Sequence, residues 1–161
     1  MRVSRRWRVT ALVFLLLLAA DMGSKHWIAD RLKGGRLKTV IPGFLNLTKV
    51  HNKGAAFGIG NEWGTFVFIA VTLIAVGVIG YLFVKLRPEE KLSHWALTLI
   101  LAGAIGNLID RIRLGYVIDF VDVYFRHWHY WTFNVADSAI TIGALLFAWG
   151  LHKSRKPKAA A

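Results

Sequence analysis

Long apolar segments alternate with polar connections along the whole chain. Four segments are long and apolar enough to predict membrane-spanning helices, and they lie at residues 8–28, 63–84, 92–110 and 135–151. The second is the clearest, because it contains no charged residue. The first is the weakest, because its strictly apolar run ends at Ala20 and the span must continue through Asp21 and Lys25.

The first segment also allows a second interpretation. Basic residues precede a short apolar core that ends in Ala19-Ala20, a pattern typical of a cleaved signal peptide. The polar region that normally precedes a cleavage site is missing, so we favour a retained span. An even number of spans places both termini on one side, and the arginines before the first span indicate that this side is the cytoplasm.

Two long connections, 29–62 and 111–134, have the composition of β-strands. Leu37 to Ile41 and Phe44 to Val50 flank a Pro42-Gly43 turn, and Tyr116 to Val121 is rich in β-branched and aromatic residues. We therefore predict one membrane domain over residues 1–161. It is mainly α, with four transmembrane helices and a small extracytoplasmic β-sheet built from the two outer loops.

Two further segments have predicted roles. The residues from Gly54 to Trp63 follow a predicted strand, and we expect them to form a lid over the site. The basic tail 153–161 is expected to be disordered.

Composition narrows the class of protein. Of the 161 residues, 55% are hydrophobic, which is too many for an ordinary soluble domain. The net charge of +12 is concentrated at the edges of the apolar segments, so it indicates anionic lipid headgroups and not nucleic acid as the partner. The chain has no cysteine, which excludes disulfides, thiolate metal sites and a cysteine nucleophile.

Two of the nine acidic residues stand at the borders of strongly apolar sequence. Asp119 lies in Val117-Ile118-Asp119-Phe120 and Asp137 in Phe133-Asn134-Val135-Ala136-Asp137. Ionisable groups at membrane depth cost several kcal/mol, roughly 3 or more, so each is a functional candidate. Simpler explanations also exist: Asp137 could be a helix cap or first-turn acid beside Asn134, and Asp119 a solvated acid on a surface strand.

If the two carboxylates meet, they can do acid–base chemistry on water. Two neighbouring carboxylates cannot both ionise easily, so one keeps a proton while the other takes a proton from the attacking water. Such a reaction needs neither a metal nor a cofactor, and we predict neither. The main alternative is a small proton-coupled transporter, since acids in membranes also mark proton relays.

Other polar residues have a helical spacing. Asn107 and Arg111 are four residues apart and share a helix face, and Arg111 could hold a backbone carbonyl or an anionic headgroup. Its simpler explanation is an interfacial arginine paired with Asp110. Asp21 and Lys25 are also four apart, so we predict a structural ion pair.

Small residues predict close packing at two places. Gly103 and Gly106 form a stripe that lets the third helix approach a neighbour, and Gly54 suits close backbone packing near a substrate. His127 and His129 alternate, but no third ligand stands near them in sequence, so a metal site is not expected.

An ordered set of motifs resembles a known family, the bacterial lipoprotein signal peptidases (signal peptidase II). The matching blocks run from the first span to the last and are Asp21-Met22-Gly23-Ser24-Lys25, His51-Asn52-Lys53-Gly54-Ala55-Ala56-Phe57, Gly103-Ala104-Ile105-Gly106-Asn107-Leu108-Ile109-Asp110-Arg111, Val117-Ile118-Asp119-Phe120 and Phe133-Asn134-Val135-Ala136-Asp137-Ser138. Met22 stands where many members have glutamine, a departure that leaves the two acids untouched.

The resemblance implies roles for these residues. Asp119 and Asp137 would be the catalytic aspartates of an aspartic endopeptidase. The polar residues that would shape the site or grip the substrate backbone are Asn52, Gly54, Asn107, Arg111 and Asn134, with Asp21 and Lys25 as a structural pair.

The resemblance also implies the reaction. Such an enzyme removes the signal peptide from a prolipoprotein by cutting on the N-terminal side of a cysteine that carries diacylglycerol. It would lie in the bacterial inner membrane with its active site near the outer face, contact membrane lipids, and be inhibited by the cyclic peptide globomycin.

Overall fold

The computed structural model of the protein describes residues 5–33, 36–54, 62–87 and 89–155. In chain order the elements are α1 (Arg5–Arg31), β1 (Lys38–Ile41), β2 (Leu45–Asn52), α2 (Glu62–Lys85), α3 (Lys91–Leu114), β3 (Val117–Phe125), β4 (Trp128–His129) and α4 (Val135–Arg155). All four helices are long and apolar enough to cross a membrane. The predicted mainly α fold with a small sheet is confirmed.

The helices extend a few residues beyond each predicted span. The cations at their ends continue the helix past the apolar run, as Lys85 does in α2. At the C-terminus this corrects one prediction, because α4 continues to Arg155 where a disordered tail from residue 153 was expected. Residues 156–161 lie outside the described residues, as do residues 55–61 of the expected lid.

α3 lies at the centre of the bundle and contacts the other three helices. Its small residues make the closest approaches: a Cβ on Gly103 would collide with the Ala136 carbonyl oxygen of α4, and one on Gly106 would lie 2.6 Å from Asp21 Oδ2 of α1. The predicted small-residue stripe is therefore the surface on which α1 and α4 pack.

α1 packs against the other helices of the bundle, and its C-terminal end contacts the sheet. Ile28 and Leu32 form a buried cluster with Ile118 and Phe120 of β3. This contact covers one face of β3, and the side chains on its other face lie close to the helix ends.

The sheet is antiparallel, in the order β1-β2-β3-β4, and combines strands from both loops. The β1–β2 connection turns at Gly43, whose φ of 79° suits glycine, and the Phe44 N–H donates to the Ile41 carbonyl at 3.1 Å. The register between β2 and β3 shifts between Leu47 and Val50. This bulge lies beside Asp119, which pairs with Val50.

Candidate active site

α4 begins with a reciprocal pair of hydrogen bonds between its cap residue and its first turn. The Asp137 backbone N–H donates to Asn134 Oδ1 at 2.9 Å, and the Asn134 N–H donates to Asp137 Oδ2 at 3.2 Å. This capping box satisfies N–H groups that a helix start would otherwise leave unpaired. Asp137 is thus a first-turn acid. Its other carboxylate oxygen, Oδ1, accepts a hydrogen bond from Asn107 Nδ2 at 2.8 Å.

Asp119 lies on β3 and is almost completely buried, with 2% of its surface exposed. Its neighbours Ile118 and Phe120 pack against α1, while its own carboxylate accepts two hydrogen bonds from amide side chains. Asn52 Nδ2 donates to Oδ2 at 2.8 Å and Asn134 Nδ2 donates to Oδ1 at 2.7 Å. A solvated surface position, the simpler explanation from sequence, is therefore wrong.

The surroundings of Asp119 shift its ionisation. Burial raises its pKa to about 6 from the ordinary 3.8, and the negative charge of Asp137 acts in the same direction. The amide donors of Asn52 and Asn134 oppose this, because they stabilise the ionised form, as does the charge of Lys25. A carboxyl with this pKa can accept and release a proton near neutral pH.

A single amide orients both acids. Asn134 accepts from the Asp137 N–H through Oδ1 and donates to Asp119 through Nδ2, and none of its surface is exposed. The two aspartates line the same cavity, which has a volume of about 490 Å³. The structure therefore brings together the pair that the sequence predicts, and the groups that position them are side-chain amides.

The orientation of Asn107 is set by a cation. Lys25 Nζ donates to Asn107 Oδ1 at 2.9 Å, so the amide nitrogen of Asn107 faces Asp137. A reversed amide would place its two N–H donors toward the ammonium group, which has no acceptor. α1 thus directs a hydrogen bond at Asp137 through one intermediate side chain on α3.

Lys25 is itself held by two buried acids. Its ammonium group lies 2.8 Å from Asp21 Oδ2 and 3.0 Å from Asp110 Oδ2, so the predicted ion pair is part of a three-residue group. The other Asp21 oxygen accepts the backbone N–H of Ala136 in the first turn of α4 at 2.9 Å. Buried charges need such partners, and here they also join α1, α3 and α4.

Arg111 does not pair with Asp110 as the simpler explanation from sequence required, because Asp110 lies against Lys25. The Arg111 guanidinium stacks over the Phe68 ring of α2, with 5.0 Å between its carbon and the ring centroid. Its charge interacts with those of Asp137 and Asp119. The cation is therefore held beside the acids by an aromatic ring.

Gly54 positions Asn52. The Gly54 N–H donates to Asn52 Oδ1 at 2.8 Å, which directs the Asn52 amide nitrogen toward Asp119. Gly54 has φ of 83°, and a Cβ there would overlap the Phe68 ring. Both observations require glycine at this position. The close backbone packing predicted for it is present.

The rest of the cavity lining comes from two segments. The segment after β4 contributes aromatic side chains, among them Trp131, which is 79% exposed, and α4 contributes Thr141 and Ile142. Phe133 bonds back to Val121 of β3, which places the start of α4 beside Asp119.

Sequence reasoning missed a second buried acid on β3. Asp122 accepts from Asn46 Nδ2 at 3.1 Å, and its Oδ1 lies 2.8 Å from His129 Nδ1. These three residues lie on β2, β3 and β4, outside the set that lines the cavity with Asp119. A polar residue opposite Asp122 on the paired strand would have indicated this group. That signal can be used only when the register of the two strands is known.

Comparison with known proteins identifies the family of this chain. Residues 13–153 match the family model described as signal peptidase (SPase) II. The chain is 44% identical over 152 residues to a lipoprotein signal peptidase of Geobacter metallireducens, covering 93% of this chain and 94% of that protein. It is 48% identical over 133 residues to one of Latilactobacillus sakei, covering 81% and 85%.

Solved structures show the same fold. A bacterial membrane enzyme structure determined by the in meso method at 2.3 Å resolution superposes with a TM-score of 0.84 at 35% identity, covering 95% of this chain and 94% of the other. A second, at 1.9 Å resolution, gives 0.80 at 35% identity and covers 90% and 93%. With four apolar helices and a match over most of its length, this chain belongs to the signal peptidase II family of membrane-bound aspartic peptidases, which process prolipoproteins.

Proposed function

We propose that Asp119 and Asp137 are the catalytic pair of this peptidase. They cleave a prolipoprotein on the N-terminal side of a cysteine that carries diacylglycerol. The observation that supports this best is the Asn134 amide, which bonds to both residues at the wall of one cavity. Two carboxylates that share a proton are the groups required to activate water without a metal.

The environments of the two acids suggest separate roles. Asp137 lies in the first turn of α4, with one carboxylate oxygen held by Asn107, and it takes a proton from the attacking water. Asp119, with a pKa of about 6, carries the shared proton and donates a hydrogen bond to the scissile carbonyl. A substrate that covers the cavity removes water and favours the protonated form further.

The reaction then proceeds through a tetrahedral diol. Water attacks the carbonyl carbon as its proton passes to Asp137, and the proton on Asp119 moves to the carbonyl oxygen. The diol collapses when the C–N bond breaks, the amine takes the proton held on Asp137, and a hydroxyl proton returns to Asp119. No covalent intermediate forms, and the pair titrates as a unit.

The surrounding polar residues would hold this geometry. Asn52 and Asn107 each fix one carboxylate oxygen, and Arg111 grips the substrate backbone beside them. Lys25 and Asp21 stabilise the fold and orient Asn107 from the first helix.

The enzyme is further proposed to lie in the bacterial inner membrane, with both termini in the cytoplasm and the sheet at the outer face. The arginines at the start of α1 and the even number of spans support this orientation. Globomycin is expected to occupy the cavity that contains the acids. No feature of the site favours the transporter alternative, since both acids lie in a cavity at the sheet end of the helices.

Cleavage of a diacylglyceryl prolipoprotein by the purified enzyme and two variants tests the proposal. Asp119→Asn and Asp137→Asn should each lower kcat by at least about a thousandfold, because each loses a carboxyl group that exchanges a proton with the reacting atoms. Globomycin binding by both variants would show that they remain folded.

Asp122→Asn is the matched control. Asp122 is a buried acid on the same strand as Asp119 but outside the cavity, so its replacement should leave kcat within about tenfold of the parent. Near-full turnover by either Asp119→Asn or Asp137→Asn, or an equal loss in Asp122→Asn, would contradict the assignment.

A further inference from the structure

A second and larger cavity lies beside the active site. It has a volume of about 940 Å³ and is enclosed by the end of β2, the sheet end of α2 and the last turn of α3. Thr65 Oγ1 of α2 donates to the Gly115 carbonyl at the end of α3 at 2.8 Å, which joins the two helices at this level. The cavity is therefore a gap between two membrane helices at the level where the sheet begins.

Two cationic side chains line this cavity. Lys53 and Arg111 both line it, and no acidic residue is among the described residues that do. The exposed His51 also lines the cavity and stacks on Tyr116, with ring centroids 4.1 Å apart. Burial lowers the pKa of His51, and the charges of Lys49 and Lys53 lower it further.

The cavity also has apolar lining residues. Phe66 and Ile69 contribute one wall from α2, and Ile112 and Leu114 contribute the other from α3. Phe66 and Ile112 are exposed, so these walls continue into the surface that faces lipid. A molecule with an anionic head and apolar chains would match both the cationic and the apolar lining residues.

We propose that this cavity binds one anionic phospholipid, with its phosphate between Lys53 and Arg111 and its acyl chains along α2 and α3. Basic pockets between membrane helices hold lipid headgroups in this way, and arginine binds phosphate through two N–H donors. The diacylglyceryl group of a substrate carries no phosphate, so it does not account for Lys53. Arg111 is shared with the proposed peptidase site, so the test measures lipid binding directly and varies Lys53, and the inference does not rest on the catalytic pair.

Lipid binding to the purified chain tests the proposal. The delipidated protein in detergent is titrated with phosphatidylglycerol or phosphatidylcholine of identical acyl chains, and bound lipid is counted by native mass spectrometry. We expect phosphatidylglycerol to bind at one site about fivefold or more tightly than phosphatidylcholine. Lys53→Gln should remove most of this preference and Lys53→Glu all of it, because each weakens the attraction for the phosphate.

Lys38→Gln and Lys38→Glu are the matched controls, since Lys38 is an exposed lysine on β1 outside the cavity. Both should bind phosphatidylglycerol like the parent. Equal binding of the two lipids by the parent, or equal losses at Lys38 and Lys53, would refute the site. Competition by glycerol 3-phosphate at concentrations as low as those of the lipid would also refute it, because the apolar walls would then contribute nothing.

Discussion

At the scale of single residues, the active site depends on amides as much as on acids. Asn52, Asn107 and Asn134 each donate to an aspartate oxygen, and the other end of each amide is fixed by a different group. Those groups are the Gly54 N–H, the Lys25 ammonium and the Asp137 N–H. Both acids are therefore oriented by side chains that cannot turn over without losing a bond.

We expect the Asn52 amide to influence the pH dependence of the reaction. Its N–H stabilises ionised Asp119, so Asn52→Ala should raise the pKa of Asp119 above about 6. If the reactive form carries the shared proton, kcat/KM falls as the pH rises through this pKa, and the variant should show that fall at higher pH. Rates of lipopeptide cleavage across the pH range measure the shift.

Asn46→Ala is the control for this prediction. Asn46 is a buried amide on the same strand, but it donates to Asp122. Its replacement should leave the fall in kcat/KM at the parent pH. An unchanged profile in Asn52→Ala would mean that Asp119 is not the group that titrates.

Gly54 offers a test of positioning. Gly54→Ala meets both a positive φ and the Phe68 ring, so it should displace Asn52 and lower kcat by about a hundredfold. Gly43→Ala carries the same φ penalty, with φ of 79°, but has open space around it. It should therefore keep its activity, and equal losses in the two variants would show that backbone strain alone is responsible.

The two acids and their amide neighbours could be predicted from sequence, because polar residues in apolar surroundings stand out and the motif order resembles a family. Asn134 was predicted as a site residue, but its simultaneous bonds to Asp119 and the Asp137 N–H were not, since either Asn134 or Asp137 alone satisfies the pattern of a helix start. The partner of Asp110 also could not be predicted from sequence. It depends on Lys25 of another helix, and no spacing rule relates the two.

At the scale of elements, α3 is the support on which the site is assembled. It supplies Asn107 to the acids and Asp110 to Lys25, and its glycines allow α1 and α4 to approach. Helix positions were predictable because apolar runs of membrane length are distinctive. The bulge in β2 and the two-residue strand β4 were not, since a shift of one residue leaves no signal in composition.

The close contact at Gly103 predicts a packing defect. Gly103→Ala places a methyl group against the Ala136 carbonyl at the start of α4, and it should destabilise the protein by about 1–3 kcal/mol. Activity should fall as well, because Ala136 is next to Asp137. The thermal unfolding midpoint in detergent and the cleavage rate measure the two effects.

Gly77→Ala is the matched control on α2. Nothing lies within 4 Å of a Cβ at Gly77, so the replacement should be neutral or should stabilise the helix by up to about 1 kcal/mol. A Gly103→Ala protein as stable and active as Gly77→Ala would show that the contact between α3 and α4 is not close in solution.

At the scale of the whole molecule, α1, α2 and α4 expose most of their apolar surface, whereas more than half of the α3 span is buried. Exposed apolar helix faces of this length match the lipid interior, and the sheet adds exposed aromatic residues at one end, among them Trp128 and Trp131. The molecule thus has a distinct sheet end and a distinct loop end.

Because the chain has no cysteine, single cysteines can report its orientation. Lys38→Cys marks the sheet and Lys91→Cys marks the start of α3 at the opposite end, and both positions are exposed. In intact spheroplasts, a membrane-impermeant thiol reagent should label Lys38→Cys alone. Labelling of Lys91→Cys alone would reverse the proposed orientation, and disrupted cells should give labelling of both.

The bond between Asp21 and the Ala136 N–H joins residues that are 115 positions apart in the chain. During synthesis, the Asp21 carboxylate therefore cannot meet this partner until nearly the whole protein has been made. A chain that ends before α4 contains Asp119 but not Asp137. On the proposed assignment, proteolytic activity therefore begins only when the last helix has joined the bundle.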